Sequence, residues 1–203
     1  MELHEALAQI SEIRDHLART ETFEGYRSAT VAASGVLALT AAGMQTALIP
    51  DPMGRLDAYL TLWVTVAIVS AAITGIEMLV RSHCAASETA VRLTRMFVEQ
   101  FLPCLIVGAL LTVAIAAVAP ETAWMLPGLW ALVFGLGVFA SARLFPWPVA
   151  WVGAYYVLAG TFCLFGAKHL DPLSPWLMAG TFGLGQLLAA AAVYWSVERK
   201  HAA

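Results

Sequence analysis

The first candidate for a chemically active side chain is Glu77, in the stretch "ITGIEMLVRSHC". A carboxylate inside an apolar run can hold a proton or bind a cation at the mouth of an internal cavity. Arg81 follows four residues later, so on a helix the two side chains share a face in the order that favours an ion pair. We interpret Glu77 first as a helix-end carboxylate near headgroup water, with a functional intramembrane group as the alternative.

The stretch "RSHCAASE" is the second candidate, because it combines a histidine, a cysteine and a carboxylate. His83 and Cys84 at adjacent helical positions point about 100° apart, which is a poor arrangement for an imidazole to activate a thiol. We therefore expect Ser87 to cap a helix that begins at the next residue and carries Arg92 and Arg95 along the membrane surface. These arginines would contact lipid phosphates or the acidic surface of a partner.

The third candidate is Gln186, near the middle of the last apolar segment in "GTFGLGQLLAAAA". An amide in hydrocarbon needs hydrogen-bond partners from another helix, a bound ligand or its own backbone. The nearby Gly180, Gly183 and Gly185 would let a second helix approach closely. We interpret Gln186 as a hydrogen-bonding contact between helices, and as a group lining a cavity in the alternative.

Other constellations that would indicate an enzyme or a cofactor site are missing from the sequence. The five histidines fall outside the interiors of the apolar segments, so no pair can hold a haem at mid-membrane. The three cysteines form no pair with metal-ligand spacing. No phosphate-binding glycine loop, nucleophile elbow or zinc-protease motif occurs. The sequence predicts a protein that is not an enzyme, with no catalytic residue, no metal site and no cofactor.

The elements that must position these residues are apolar helices. The composition is 60% hydrophobic and 12% charged, and several apolar runs reach the length of about 20 residues that crosses a bilayer core. We predict an all-α polytopic membrane protein, a bundle of six transmembrane helices. The six apolar segments cover residues 29–49, 58–80, 101–118, 123–142, 147–167 and 176–197.

Residues 1–28 are charged and amphipathic, and we predict that they form a cytosolic helix ahead of a six-helix transmembrane domain over 29–203. Apolar residues recur there at spacings of three and four, which places them on one helix face. That face would lie on the membrane surface or on cytosolic loops, or would dock a partner. Together with Arg92 and Arg95, the candidate contacts for a partner or for lipid are Leu3, Leu7, Ile10 and Leu17, beside Ile13 on the same face.

The basic residues predict the orientation, because Lys and Arg beside membrane spans are retained on the cytosolic side. With six spans, all of the basic residues except Arg55 and Lys168 fall on the side that carries both termini. We therefore expect both termini in the cytoplasm.

Two stretches resemble a loosely defined group of bacterial membrane proteins with six spans and no characterised function. The first is "EIRDHLARTETFEGYRSATVAASGVLAL", in which a charged amphipathic helix runs into a first span rich in small residues. The second is "RLFPWPVAWVGAYYVLAGTFCLF", which is similar to the fifth-span region of that group. The resemblance implies six spans in a bacterial inner membrane, and it transfers no catalytic or binding residue.

Two functions follow as hypotheses. The first is an accessory or regulatory subunit that docks onto a larger membrane assembly, with lipids and other membrane-protein subunits or further copies of the chain as partners. The alternative is a small transporter or permease for an apolar or weakly polar molecule, with a cavity that reaches Glu77 or Gln186. Nothing in the sequence indicates binding to nucleic acid.

Overall fold

The computed structural model describes residues 28–84, 88–145, 147–166, 171 and 173–198. The predicted N-terminal helix lies outside the described residues, and so does the predicted capping residue Ser87. The same holds for the candidate contact residues Leu3, Leu7, Ile10 and Leu17.

The described part of the chain is all-helical, without a strand, and contains six helices long and apolar enough to cross a membrane. This confirms the predicted fold class of a polytopic six-helix protein. The first five helices are α1 (Ser28–Leu48), α2 (Leu56–Cys84), α3 (Glu88–Val118), α4 (Leu126–Ser141, entered through the 3-10 turn Pro120–Met125) and α5 (Pro148–Gly166).

The sixth helix, α6, changes its winding along its length. It begins as an α-helix at Pro175–Met178, widens to a π-helix at Ala179–Leu184, returns to α at Gly185–Val193, and ends as a π-helix at Tyr194–Glu198. The Tyr155 hydroxyl of α5 donates a hydrogen bond to the backbone oxygen of Gly180, inside the first π segment. Since π segments are rare and occur frequently at functional sites, this part of α6 is a place to look for one.

The predicted segments match the helices within a few residues at every end but one, the start of the third helix. That apolar segment was predicted from residue 101, whereas the apolar part of α3 begins at Val91. The helix itself begins at Glu88, which confirms the prediction of a helix that starts at this residue. Charged residues before residue 101 interrupt the apolar run, but the helix continues through them. Arg95 and Glu99, one turn apart on the exposed surface, form an ion pair with Nε and Oε1 2.6 Å apart, as helical residues at this spacing can.

Consecutive helices pack side by side, and α6 also packs against α1. The closest approaches use glycine. A Cβ atom added to Gly128 of α4 would lie 2.8 Å from the backbone oxygen of Gly160 on α5, and one added to Gly160 would lie 2.8 Å from that of Gly128. Gly35 of α1 faces the backbone oxygen of Gly183 on α6 in the same way, with 3.0 Å to an added Cβ. These two helix pairs therefore pack almost backbone to backbone.

The helices α2 and α3 contribute least to the interior. Only 11% of the apolar part of α2 and 0% of that of α3 is buried, against 33% to 39% for the other four helices. Most of the surface of α2 and α3 is therefore left for lipid or for another protein. We call the end of the bundle that holds Ser28 and Ser196 the proximal end, and the opposite end the distal end.

Candidate functional site

The most deeply buried amide side chain among the described residues is Gln45, which is 0% exposed. It lies about one turn before the distal end of α1. Its Nε2 donates to the backbone oxygen of Leu173 at 2.8 Å, and its Oε1 accepts a hydrogen bond from the indole Nε1 of Trp63 at 2.8 Å. One amide therefore joins α1, α2 and the connection that precedes α6.

Leu173 adopts an unusual backbone conformation for a leucine. Its φ is 61°, the one positive φ of a non-glycine residue in the described part of the chain, and its side chain is fully buried. A left-handed conformation costs an L-residue about 1 to 2 kcal/mol. The local sequence "DPLSP" has no glycine to remove that cost. Packing and the hydrogen bond from Gln45 must therefore impose the conformation.

Tyr59 and Trp63 stand one turn apart on α2, with ring centroids 6.5 Å apart and planes tilted by 53°. Both rings belong to the same buried cluster as Leu173 and Met178. The Tyr59 hydroxyl is buried and has no hydrogen-bond partner among the described residues. A buried polar group left unpaired costs about 1 to 3 kcal/mol.

Aromatic rings fill the interior between α3, α4 and α6. Phe101 of α3 meets Phe134 of α4 edge to face at 5.1 Å, and Phe134 meets Phe182 of α6 at 5.8 Å. Such ring pairs stabilise by about 0.5 to 1.5 kcal/mol beyond the area that they bury. The bundle at this level is thus a packed aromatic core.

The structure places Glu77 on the proximal half of α2, partly exposed, next to the buried Met78 that packs on Leu93 of α3. Arg81 is exposed one turn further. Both residues are described, and no ion pair joins them; the ion pair found in the described residues is that of Arg95. Glu77 therefore lies at a partly exposed position without the partner that its spacing suggested.

Gln186 lies on the face of α6 that meets α1, and its Cβ lies 3.2 Å from the position of a Cβ on Gly35. The close packing expected around Gly183 and Gly185 is present, but at Gly180 an added Cβ atom would meet nothing within 4 Å. The amide itself is half-buried and makes no hydrogen bond within the described part of the chain. Gln186 faces α1, whereas Glu77 lies on the proximal half of α2, and no hydrogen bond joins these two predicted residues.

The remaining candidates lie at the proximal surface. Arg92 and Arg95 are exposed near the start of α3, in agreement with a helix that leaves the apolar layer there. The helical backbone of α2 continues through His83 and Cys84, but their side chains lie outside the described part of the structure. Within that part, no group of three or more His, Cys, Asp or Glu residues could hold a metal ion.

Sequence reasoning missed the contacts of Gln45, although a signal was present. Gln45 lies near the end of a predicted span, where a polar side chain can reach headgroup water and therefore attracts little notice. Gln45 also extends the buried positions Ala38, Ala41 and Ala42 by the spacings of three and four that mark one helix face. This pattern indicates a buried glutamine, which needs partners from other elements.

The cluster of Gln45, Tyr59, Trp63 and Leu173 can recognise neutral hydrogen-bonding groups beside apolar ones. It contains an amide that an indole N–H orients towards a backbone carbonyl, and an unpaired hydroxyl, among aromatic rings and small side chains. Comparison of the chain with protein-family models, with curated proteins and with solved structures finds no match.

Proposed function

We propose that this chain is a non-catalytic accessory or regulatory subunit of a larger assembly in a bacterial inner membrane, with both termini in the cytoplasm. The observation that carries the proposal is a face of small residues on α2 that no other described residue covers. We call this strip, made of Ala67, Ala71 and Gly75, the small-residue face.

The small-residue face repeats every four residues, so its members align along one side of the helix. Ala67 and Ala71 are exposed, and a Cβ atom added to Gly75 would meet nothing within 4 Å. In membrane proteins, small residues are enriched where helices touch, because they let two backbones approach. This chain uses small residues in that way at Gly128 and Gly160. A helix of another subunit would find the same kind of surface on α2.

The residues that flank the small-residue face favour a helix as its occupant. Ile68 and Ile76 are 63% and 62% exposed, so large side chains stand beside the small ones. Small and large positions side by side form a groove and a ridge, into which the side chains of a second helix can pack. Dispersion contacts of this kind drive the association of helices in lipid.

Exposed arginines support the orientation in the proposal. Arg81, Arg92, Arg95 and Arg143 are exposed towards the proximal end, at the ends of α2, α3 and α4. Arg55 is exposed at the distal end. Because basic residues are retained in the cytoplasm, this distribution favours a cytoplasmic proximal end.

The test is native mass spectrometry, with an absorbance spectrum, of the full chain extracted from its own membrane in a mild detergent. We expect the chain to be released together with other membrane polypeptides. Ala71→Leu fills the small-residue face and should remove those polypeptides. Ile73→Phe adds bulk to another exposed side of α2, where Ile73 is 44% exposed, and should leave the complex intact. Retention of every partner by Ala71→Leu would show that this face does not bind them.

A further inference from the structure

The buried position of Leu173 is a pocket with two recognisable chemical features. Its branched aliphatic side chain is fully buried against residues of α1, α2 and the start of α6, among them Ala41, Tyr59 and Met178. Its backbone carbonyl accepts a hydrogen bond from the buried Nε2 of Gln45 at 2.8 Å. We call this the Leu173 pocket. It holds an isobutyl group and the amide carbonyl beside it.

The hydrogen-bonding groups of the Leu173 pocket are held in place independently of the loop. The Oε1 of Gln45 accepts from the Trp63 indole at 2.8 Å, which fixes the amide with its Nε2 directed at the carbonyl. Gln45 lies on α1 and Trp63 on α2, and the two helices pack against each other. The donor is therefore preorganised by two helices and does not depend on residue 173.

Leu173 is an imperfect occupant of this pocket. Its backbone has to adopt a φ of 61°, which a leucine strongly disfavours. Tyr59, a member of the same buried cluster, has a buried hydroxyl without a hydrogen-bond partner among the described residues. A free molecule need not adopt a left-handed backbone, and it can bring a polar group to Tyr59. Such a molecule can therefore compete with a loop that has the advantage of being tethered.

We propose that the Leu173 pocket is a binding site for a neutral molecule with a branched aliphatic group beside an amide carbonyl, and that the chain's own Leu173 occupies it when this molecule is absent. The ligand is neutral because the polar groups of this cluster are uncharged: the Gln45 amide that donates to the carbonyl, the indole that orients this amide, and the Tyr59 phenol. Release of Leu173 opens the distal end of the bundle between α1, α2 and α6. This site is independent of the accessory role, which concerns the middle of α2.

Cys163 provides a reporter for the opening of the pocket. It lies about one turn before the distal end of α5, at the same end of the bundle as Tyr59 and Leu173, and is 4% exposed. A thiol reacts through its thiolate, so a charged methanethiosulfonate reagent modifies it only where water reaches it. The experiment uses the full-length chain with Cys84→Ser and Cys104→Ala, which leaves Cys163 as the reactive thiol.

We expect Cys163 to react slowly in this background. After Leu173→Ala it should react about tenfold or more faster, because removal of the Leu173 side chain admits water to the pocket. N-acetyl-leucinamide at about 10 mM, a concentration suited to a weak small ligand, should slow the reaction of the Leu173→Ala variant. N-acetylglycinamide, which has the same amides without the isobutyl group, should leave the rate unchanged. If Gln45→Leu is added, protection by N-acetyl-leucinamide should be lost because its carbonyl has no donor.

Two results would overturn the proposal. One is an unchanged rate of modification of Cys163 after Leu173→Ala, which would mean that the Leu173 side chain does not keep water from Cys163. The other is equal protection by the two acetylated amides, or none by either, which would mean that the pocket does not recognise the aliphatic group and the carbonyl. Circular dichroism and size-exclusion chromatography check the fold of each variant. Leu173→Gly, which also relieves the positive φ, serves as the second variant if Leu173→Ala is misfolded.

Discussion

Replacement of Gln45 by leucine should destabilise the protein more than any other single change of an amide side chain in the described region. The substitution keeps the size of the side chain but leaves the Trp63 N–H and the Leu173 carbonyl without their partner. A buried group left unpaired costs about 1 to 3 kcal/mol, and hydrogen bonds between membrane helices average about 0.6 kcal/mol with a maximum near 1.7. For two such groups we expect a loss of about 2 to 3 kcal/mol in the free energy of unfolding.

The matched control is Gln186→Leu, because Gln186 makes no hydrogen bond within the described part of the chain. Its free energy of unfolding should stay within about 0.5 kcal/mol of the parent. Reversible unfolding in mixed micelles, followed by circular dichroism, gives both values. A double-mutant cycle of Gln45→Leu with Trp63→Phe should show a coupling of about 0.6 to 1.7 kcal/mol. A coupling of zero, or a larger loss for Gln186→Leu than for Gln45→Leu, would refute the reasoning.

Two further changes test the packing, and both are measured by the same unfolding assay. Tyr59→Phe removes an unpaired hydroxyl and keeps the ring, so stability should be unchanged or rise by up to about 1 kcal/mol; a loss of that size would show that the hydroxyl has a partner. Gly160→Ala places a Cβ atom 2.8 Å from the backbone oxygen of Gly128 and should cost about 1 to 3 kcal/mol. Gly43→Ala, whose Cβ meets nothing within 4 Å, should cause no loss. Equal losses at Gly43 and Gly160 would contradict the close helix contact.

The six spans could be predicted from the sequence because the length and polarity of a segment determine whether it crosses a bilayer as a helix. Hydrocarbon allows no unpaired backbone group, so an apolar run of sufficient length must be helical whatever its neighbours are. The start of the third apolar segment was placed too late, at residue 101, because charged residues interrupt the apolar run before it. The helix itself was expected from residue 88, where α3 begins, and residues 88–100 carry both charged and apolar side chains. Hydropathy identifies the apolar part of a helix, and the helical backbone of α3 extends beyond that part.

The candidate site could be predicted only in part, because its partners are distant in the sequence. Gln45 and Leu173 are separated by 128 positions, and no local pattern relates them. Gln186 was the natural choice from its central position in a span. Burial of an amide depends on whether other helices cover the helix face that carries it. The face of α1 that carries Gln45 is covered, whereas the face of α6 that carries Gln186 is covered only in part. Likewise, spacing placed Glu77 and Arg81 on one face, but the structure does not pair them.

The two ends of α2 are attached to different parts of the bundle. At the distal end, Trp63 is bonded to α1 through Gln45, and at the proximal end Met78 packs on Leu93 of α3. Between these attachments the small-residue face around Ala71 is left uncovered by the rest of the described chain. Because a helix transmits a displacement along its axis, a partner that packs on this middle section would act on a segment that also carries the wall of the Leu173 pocket. The proposed partner surface and the proposed ligand site therefore share one helix, although neither contains a residue of the other.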